Sequence, residues 1–391
     1  MYLKKSKSVT IDIRIALNNL SSLKVLEHFA LHISRTRSLV IEGSTDVYTA
    51  SSLLLCNPVP SLEHLEIKSS AIGGSVWAPD KFLGRQAPSL RSVVFIGICP
   101  ILESPFLLPS LTKLDLRLLG NMAPLRMSSL FHLYSSCPRL QEIYTKISCG
   151  IIEDVASEQV VSMDSVVKLD FHCDTASRTL PSLKLPRLKS LSVSFPWQPG
   201  KVGMLADLLP QNGHALLSGI TTVLYQHRGT SLPQTVELSG KEFNAQFTLF
   251  YKSAGMPLPT WFLADRTYIP FDQIENLVFM GCYISTDHLI NLFKNVKILQ
   301  VVPSDGSLLP EIVFRSLRPD QETGIPCPSL RGIHLLSPVG QGMESLVSLA
   351  KKRKIAEHQL EVVYVLGDLD SDVEEELREH VGELQVVPIR P

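Results

Sequence analysis

The chain has 391 residues, 45 % of them hydrophobic and 7 % aromatic, enough to bury a large continuous core. Lys and Arg number 37 against 38 Asp and Glu, and the resulting net charge of −1 excludes a general pull toward nucleic acid or an anionic membrane. The opening Met1-Tyr2-Leu3-Lys4-Lys5-Ser6-Lys7-Ser8 lacks the apolar core of a signal peptide, and the longest apolar run, Val93–Leu102, is about half of what a bilayer requires. Seven irregularly spaced cysteines in a chain of this size read as reduced, buried side chains, so a cytoplasmic and/or nuclear location is expected. The glycosylation triplet at Asn19 has no meaning without secretion.

In chain order, residues 1–34 read as a linker strand around Ile11 and Ile13 followed by a capping helix. One pattern then returns: aliphatic, two variable residues, aliphatic, one variable, aliphatic. A weak copy starts at Thr36, and eleven follow at Leu62, Leu90, Leu111, Leu140, Val166, Leu188, Ile220, Ile274, Val296, Leu330 and Leu360. The end of each copy alternates with period 2, as a strand with one buried face does. Helices are predicted over Thr45–Leu55, Met127–Ser136, Val202–Leu209, Thr286–Lys294 and Gln341–Ala350. The 54-residue gap after Ile220 fits two units, one of them off pattern at about 226–273. Spacings of 21 to 34 residues elsewhere are those of leucine-rich repeats. One strand and one helix cannot bury their apolar faces alone, so such units stack. The fold class expected is therefore α/β: an irregular leucine-rich-repeat solenoid over 35–391, with a curved parallel sheet on the concave side and helices on the convex side.

Proline introduces many of the strands, at Pro60, Pro88, Pro109, Pro138, Pro186 and Pro328. It cannot donate to a sheet ladder and disfavours helix in the residue before it, so it stops one helix and marks the next strand entrance. Cysteine precedes two of these prolines, at Cys137 and Cys327. The Cys-Pro-x-Leu entrance with irregular repeats resembles the leucine-rich repeats of F-box proteins. The start narrows this: Leu3, Lys4, Lys5, Ser6-Lys7-Ser8 and Ile11-Asp12-Ile13, then His28, His32 and Arg35-Thr36-Arg37. These residues resemble the segment that links F-box to repeats in basidiomycete-type F-box-like proteins. The resemblance implies a substrate receptor of a cullin ubiquitin ligase, docking through the ligase's linker subunit. An F-box would stand before this linker, where the chain begins. The internal echo Leu309-Pro310-Glu311-Ile312-Val313-Phe314 reads instead as a repeat helix with proline in its first turn.

Four constellations imitate chemistry. His28 and His32 have the spacing of two zinc ligands, but Phe29 stands where a zinc protease keeps its glutamate, and no third ligand is signalled. Asp368, Asp370, Asp372 and Glu379 match calcium-loop positions, yet Val373 replaces the obligatory glycine. A capping box of Ser371 and Glu374 is the better reading. Lys351-Lys352-Arg353-Lys354 reads as a helix end complementing the dipole, with a nuclear-import patch as its alternative. His172-Cys173-Asp174 alternates between the faces of a strand, so a nucleophile could be completed only from another repeat, for example by Cys149. No catalytic residue, cofactor site or metal site is assigned, and the chain is not expected to be an enzyme.

What remains is the strand surface. Its variable residues point to the concave side: Lys113, Asp115 and Arg117, then Glu142, Tyr144 and Lys146, then Lys168, Asp170 and His172. This mixed-charge patch around one aromatic suits protein recognition. Further on the same face turns apolar at Val278, Ile298, Val362 and Tyr364. The loop-closing ninth position of a regular repeat is met only by Cys282, with Cys99 and Cys149 one residue off, so long insertions at 69–86 and 226–272 are expected. The expected partner is a protein, with no nucleic acid and no membrane, and the chain alone is expected to be a monomer. A free-standing repeat scaffold, or a truncated remnant without a role in ubiquitin transfer, is the alternative to the ligase receptor.

Overall fold

The computed structural model describes residues 9–17, 23–43, 47–70, 76–77, 87–100, 108–118, 124–149, 151–152, 160–173, 176–197, 205–227, 233–251, 269–281, 293–303, 309–319, 324–336 and 342–388. The fold is α/β, with mostly parallel strands, and it divides into two compact units. The first is Met1–Phe195 with Leu208–Asn212, the second Pro196–Asp207 with Gly213–Pro391.

In the first unit eight strands pair in chain order, all in parallel. They are β1 (Ile11–Leu17), β2 (Thr36–Gly43), β3 (His64–Ser69), β4 (Ser92–Ile96), β5 (Lys113–Leu118), β6 (Glu142–Ile147), β7 (Lys168–Cys173) and β8 (Ser190–Trp197). Each strand from β3 to β8 begins two residues after the first aliphatic of its copy. The fourth position of every copy meets the same position next door, from Leu39 through Leu65, Val93, Leu114, Ile143 and Leu169 to Leu191. All seven are buried, and each contributes roughly 1.5–3 kcal/mol of transfer free energy. The register is thus fixed by burial, since a one-residue slip would turn this row to solvent.

The sixth position shows one exception. In β6 it is Thr145, whose hydroxyl would be orphaned in an apolar row. Helix α3 (Met127–Ser135) supplies the buried Tyr134, whose hydroxyl lies 3.0 Å from Thr145 Oγ1. Burial pushes the Tyr134 phenol well above its ordinary pKa. Of the earlier helices, α1 (Leu23–Ala30) packs against α2 (Val47–Leu55), which in turn covers β2 and β3.

The prolines have a sharper role than stopping helices. Before the six proline-led strands the N–H of the first aliphatic donates to the carbonyl three residues back: Leu62 to Val59, Leu90 to Ala87, Leu111 to Leu108, Leu140 to Cys137, Leu188 to Leu185 and Leu330 to Cys327. Proline therefore sits at the second position of a hydrogen-bonded β-turn, where its fixed φ is pre-set. The turn's first residue is buried each time, so Cys137 and Cys327 are apolar turn residues, interchangeable in role with Val59 or Leu185. Burial pushes both thiols up to about 12.

In the second unit β9 (Ile220–His227) pairs in parallel with β12 (Asn276–Met280). Then follow β13 (Ile298–Val302), β14 (Gly332–Leu336), β15 (Val362–Leu366) and β16 (Glu383–Val387), all parallel. On its other side β9 carries an antiparallel ribbon of β10 (Gln234–Gly240) and β11 (Asn244–Tyr251). This ribbon lies within 226–273, where the off-pattern unit is expected. Two alternating segments three residues apart form a hairpin because a short turn permits antiparallel pairing, whereas a parallel partner needs a long crossover. Helices α6 (Leu309–Ser316), α7 (Met343–Ile355) and α8 (Ser371–His380) pack in succession, numbered after the short α4 (Ala176–Thr179) and α5 (Gly213–Leu217).

Several local expectations are corrected. Of the helix expected over 202–209, the described residues 205–209 form a 3₁₀ turn at Leu205–Leu208. The helix expected from Gln341 begins at Met343, after Gly342 at φ 96°. The Ser371–Glu374 capping box does not form: Asp370 is the N-cap, without a side-chain cap bond, and Glu374 instead accepts from Arg378 of its own helix at 2.6 Å. Leu309, Pro310, Val313 and Phe314 are buried on α6. The ninth-position Cys282, the helix 286–292 and the insertions 71–75, 78–86 and 252–268 lie outside the described residues.

Candidate functional site

The nine residues expected to bind a partner lie side by side on β5, β6 and β7, on the face opposite the buried row. The pairing sorts them into three rows running across the strands: Lys113–Glu142–Lys168, Asp115–Tyr144–Asp170 and Arg117–Lys146–His172. In the first row an anion stands between two cations, and Lys113 Nζ is 3.6 Å from Glu142. In the second an aromatic stands between two carboxylates. Cations crowd the third, with Lys146 between Arg117 and the imidazole.

Two of these conflicts are resolved along the strands. Arg117 folds back two residues to grip Asp115 with two hydrogen bonds, of 2.9 and 2.7 Å, and its guanidinium also lies over the Tyr144 ring, 4.6 Å from the centroid. The bond to Asp115 raises the Arg117 pKa further. His172 likewise turns toward Asp170, with Nε2 2.8 Å from Oδ1, and its ring lies 5.6 Å from that of Tyr144. That contact lacks hydrogen-bond alignment, so Asp170 Oδ1 is buried without a hydrogen bond. Tyr144 is held from both sides, and burial raises its pKa, with Arg117 opposing the shift and the two flanking carboxylates adding to it. An aromatic fixed between a cation and an imidazole presents contact area at little entropic cost.

Lys146 and Lys168 are exposed and form no ion pair among the described residues. With the other pairs satisfied internally, these two are the uncommitted charges of the patch. Glu66 and Lys68 continue it on β3, 2.6 Å apart. In the second unit Val278, Ile298, Val362 and Tyr364 share one face of β12 to β15, with the His334 ring 5.6 Å from Tyr364.

The imitations of chemistry come apart. Helix α1 ends at Ala30, leaving His32 outside it, and the side chain of His28 lies outside the described residues. Cys173 is buried on the opposite face from His172, and Asp174 lies outside the described residues. Among the described residues no group of three or more His, Cys, Asp or Glu is placed to hold a metal ion, and no helix is long and apolar enough to cross a membrane. Cys56 is exposed rather than buried, while Cys137, Cys173 and Cys327 are buried.

The basic run is divided by burial. Arg353 is fully buried on α7, and its guanidinium donates to the carbonyls of Pro326 and Cys327 at 3.0 Å each. Burial lowers its pKa. Lys354 Nζ reaches the carbonyl of Glu379. Lys351, Lys352 and Lys354 are exposed, while Arg353 is turned into the core.

Sequence reasoning missed a polar cleft of about 360 Å³ in the first unit, lined by Glu63, Pro88, Ser89, Arg91, Ser110, Thr112 and Arg139. Its signal was available: these residues occupy the columns just before and just after the first aliphatic of four successive copies.

A comparison of the chain with protein-family models and with curated proteins finds no match to either.

Proposed function

We propose that this chain is a leucine-rich-repeat module for protein–protein interaction, not an enzyme, and that the polar face of β5, β6 and β7 is its concave binding surface. The observation that carries this reading is Tyr144, held between Arg117 and His172 with Asp115 and Asp170 beside it. A pre-ordered aromatic at the centre of a polar patch is the composition of an interface hot spot. The uncommitted Lys146 and Lys168 favour a partner that brings acidic side chains to this face. In-register parallel strands, six of them introduced by a proline turn, support the repeat reading. The finer proposal, resting on the resemblance of the linker residues, is a substrate receptor of an F-box-type ubiquitin ligase.

Affinity capture from the native cell tests both levels. Wild type is compared with Tyr144→Ala and with the charge reversals Lys113→Glu, Asp115→Lys and Lys168→Glu. The proposal expects one stoichiometric partner that these variants lose while keeping the wild-type circular dichroism. Unchanged capture by all of them would remove this face from the account. Recovery of the ligase linker subunit and cullin favours the receptor, and a single partner without them favours the free-standing scaffold.

A further inference from the structure

The cleft at the strand entrances has no part in the face just described, and its chemistry is different. Its construction follows from the backbone. The Glu63 carbonyl accepts the N–H groups of Arg91 and Ser92, the Arg91 carbonyl those of Thr112 and Lys113, and the Thr112 carbonyl those of Gln141 and Glu142, at 2.8–3.0 Å. This forked ladder stacks Glu63, Arg91 and Thr112 as equivalent positions of adjacent copies. The turns before them stack Ser89, Ser110 and Arg139 in the same way. Neighbouring strands stand about 4.8 Å apart, so Arg91 and Arg139, which belong to copies two strands apart, reach one cleft from opposite sides.

Neither guanidinium has an ion-pair partner among the described residues, and the serine hydroxyls beside them have none in hydrogen bonding either. Thr112 Oγ1 is committed, donating to the Arg91 carbonyl at 3.0 Å. Two arginines and two serines lining one hollow supply the donors that a tetrahedral oxyanion with several acceptor oxygens needs. Glu63 is the single opposing charge in the lining.

We propose that this cleft binds a phosphate group, either free or carried as a phosphomonoester on a protein segment. The three sides of the recognition are Arg91, Arg139 and the hydroxyls of Ser89 and Ser110, and Glu63 sets an upper limit on affinity by repulsion.

The test is calorimetric titration of the full chain with inorganic phosphate, at constant ionic strength, beside acetate as a monoanionic carboxylate. Saturable binding of phosphate and none of acetate is expected. Arg91→Ala and Arg139→Ala should each weaken it roughly ten-fold or more, as loss of charged hydrogen bonds does. Glu63→Gln should strengthen it, an effect opposite in sign that damage to the fold would not produce. Both arginines are exposed, so their variants should melt like wild type. A phosphoserine peptide that binds more tightly than inorganic phosphate, and more tightly than the same peptide unphosphorylated, assigns the source to a protein segment. Equal binding of peptide and ion assigns it to free phosphate. Absence of saturable binding, equal binding of acetate, or binding untouched in the arginine variants would overturn the proposal.

Discussion

Replacement of Arg353 separates a structural basic run from a displayed one. Its side chain is completely removed from solvent and has no carboxylate partner among the described residues; its donors go to the carbonyls of Pro326 and Cys327, with longer contacts to Leu330 at 3.5 Å and His358 at 3.3 Å. Two buried bonds from a charged donor contribute roughly 3–6 kcal/mol, and the uncompensated buried charge offsets several of these. Arg353→Ala loses the bonds and leaves a cavity, so α7 should be destabilised by about 2–5 kcal/mol. Arg353→Met keeps most of the volume and no longer buries a charge, and should cost about 1–3 kcal/mol. Lys352→Ala, on the exposed side, should stay within about 0.5 kcal/mol. Hydrogen exchange of peptides covering 343–355 reads this directly, with Arg353→Ala accelerating exchange roughly thirty-fold or more. If Arg353→Ala exchanged like Lys352→Ala, the side chain would not be in the core. If Arg353→Met were as stable as wild type, the buried charge would cost as much as its hydrogen bonds return.

Three further outcomes follow from particular contacts. Gly342→Ala should destabilise the second unit by about 2–4 kcal/mol in urea unfolding: φ is 96°, and an added Cβ would lie 2.7 Å from Pro310 Cβ and 2.9 Å from the Glu311 nitrogen. His334 has its pKa lowered by burial, so between that value and the ordinary value near 6.5 the unfolded chain binds more protons. Its contribution is therefore complete above about pH 6.5 and is lost as pH falls; melting curves from pH 7.5 to 5 should show a smaller decline for His334→Gln than for wild type. Among the described cysteines, Cys56 should react with an aromatic disulfide reagent in the native state, while Cys137, Cys173 and Cys327 wait for unfolding.

Much of the fold was legible because one constraint recurs. A buried strand row needs an aliphatic at fixed spacing, and Leu65, Leu114 and Leu191 announce it in the sequence as plainly as in the pairing. The proline turns were visible as strand entrances, though their hydrogen bonds were not, since they depend on backbone geometry. The β10–β11 ribbon was missed because it was sought as a repeat. Val236 and Leu238, then Ala245 and Phe247, alternate on either side of Gly240-Lys241-Glu242, the pattern of a hairpin. Arg353 was hidden by its charged neighbours, although its spacing from Leu346, Leu349 and Ala350 puts it on the buried stripe of α7. The nine residues of the face were legible individually. Their internal pairing was not: which cation grips which carboxylate depends on the register of three strands and on rotamers that no linear pattern encodes.

The most direct measurement is site-specific photo-crosslinking in the native cell, with the reactive side chain placed at Lys146, at Lys168, and at the exposed Glu375 of α8 as control. A partner-binding face on β5, β6 and β7 predicts one discrete crosslinked species from positions 146 and 168 and not from position 375. No crosslink from either lysine position, or the same species from all three, would contradict it.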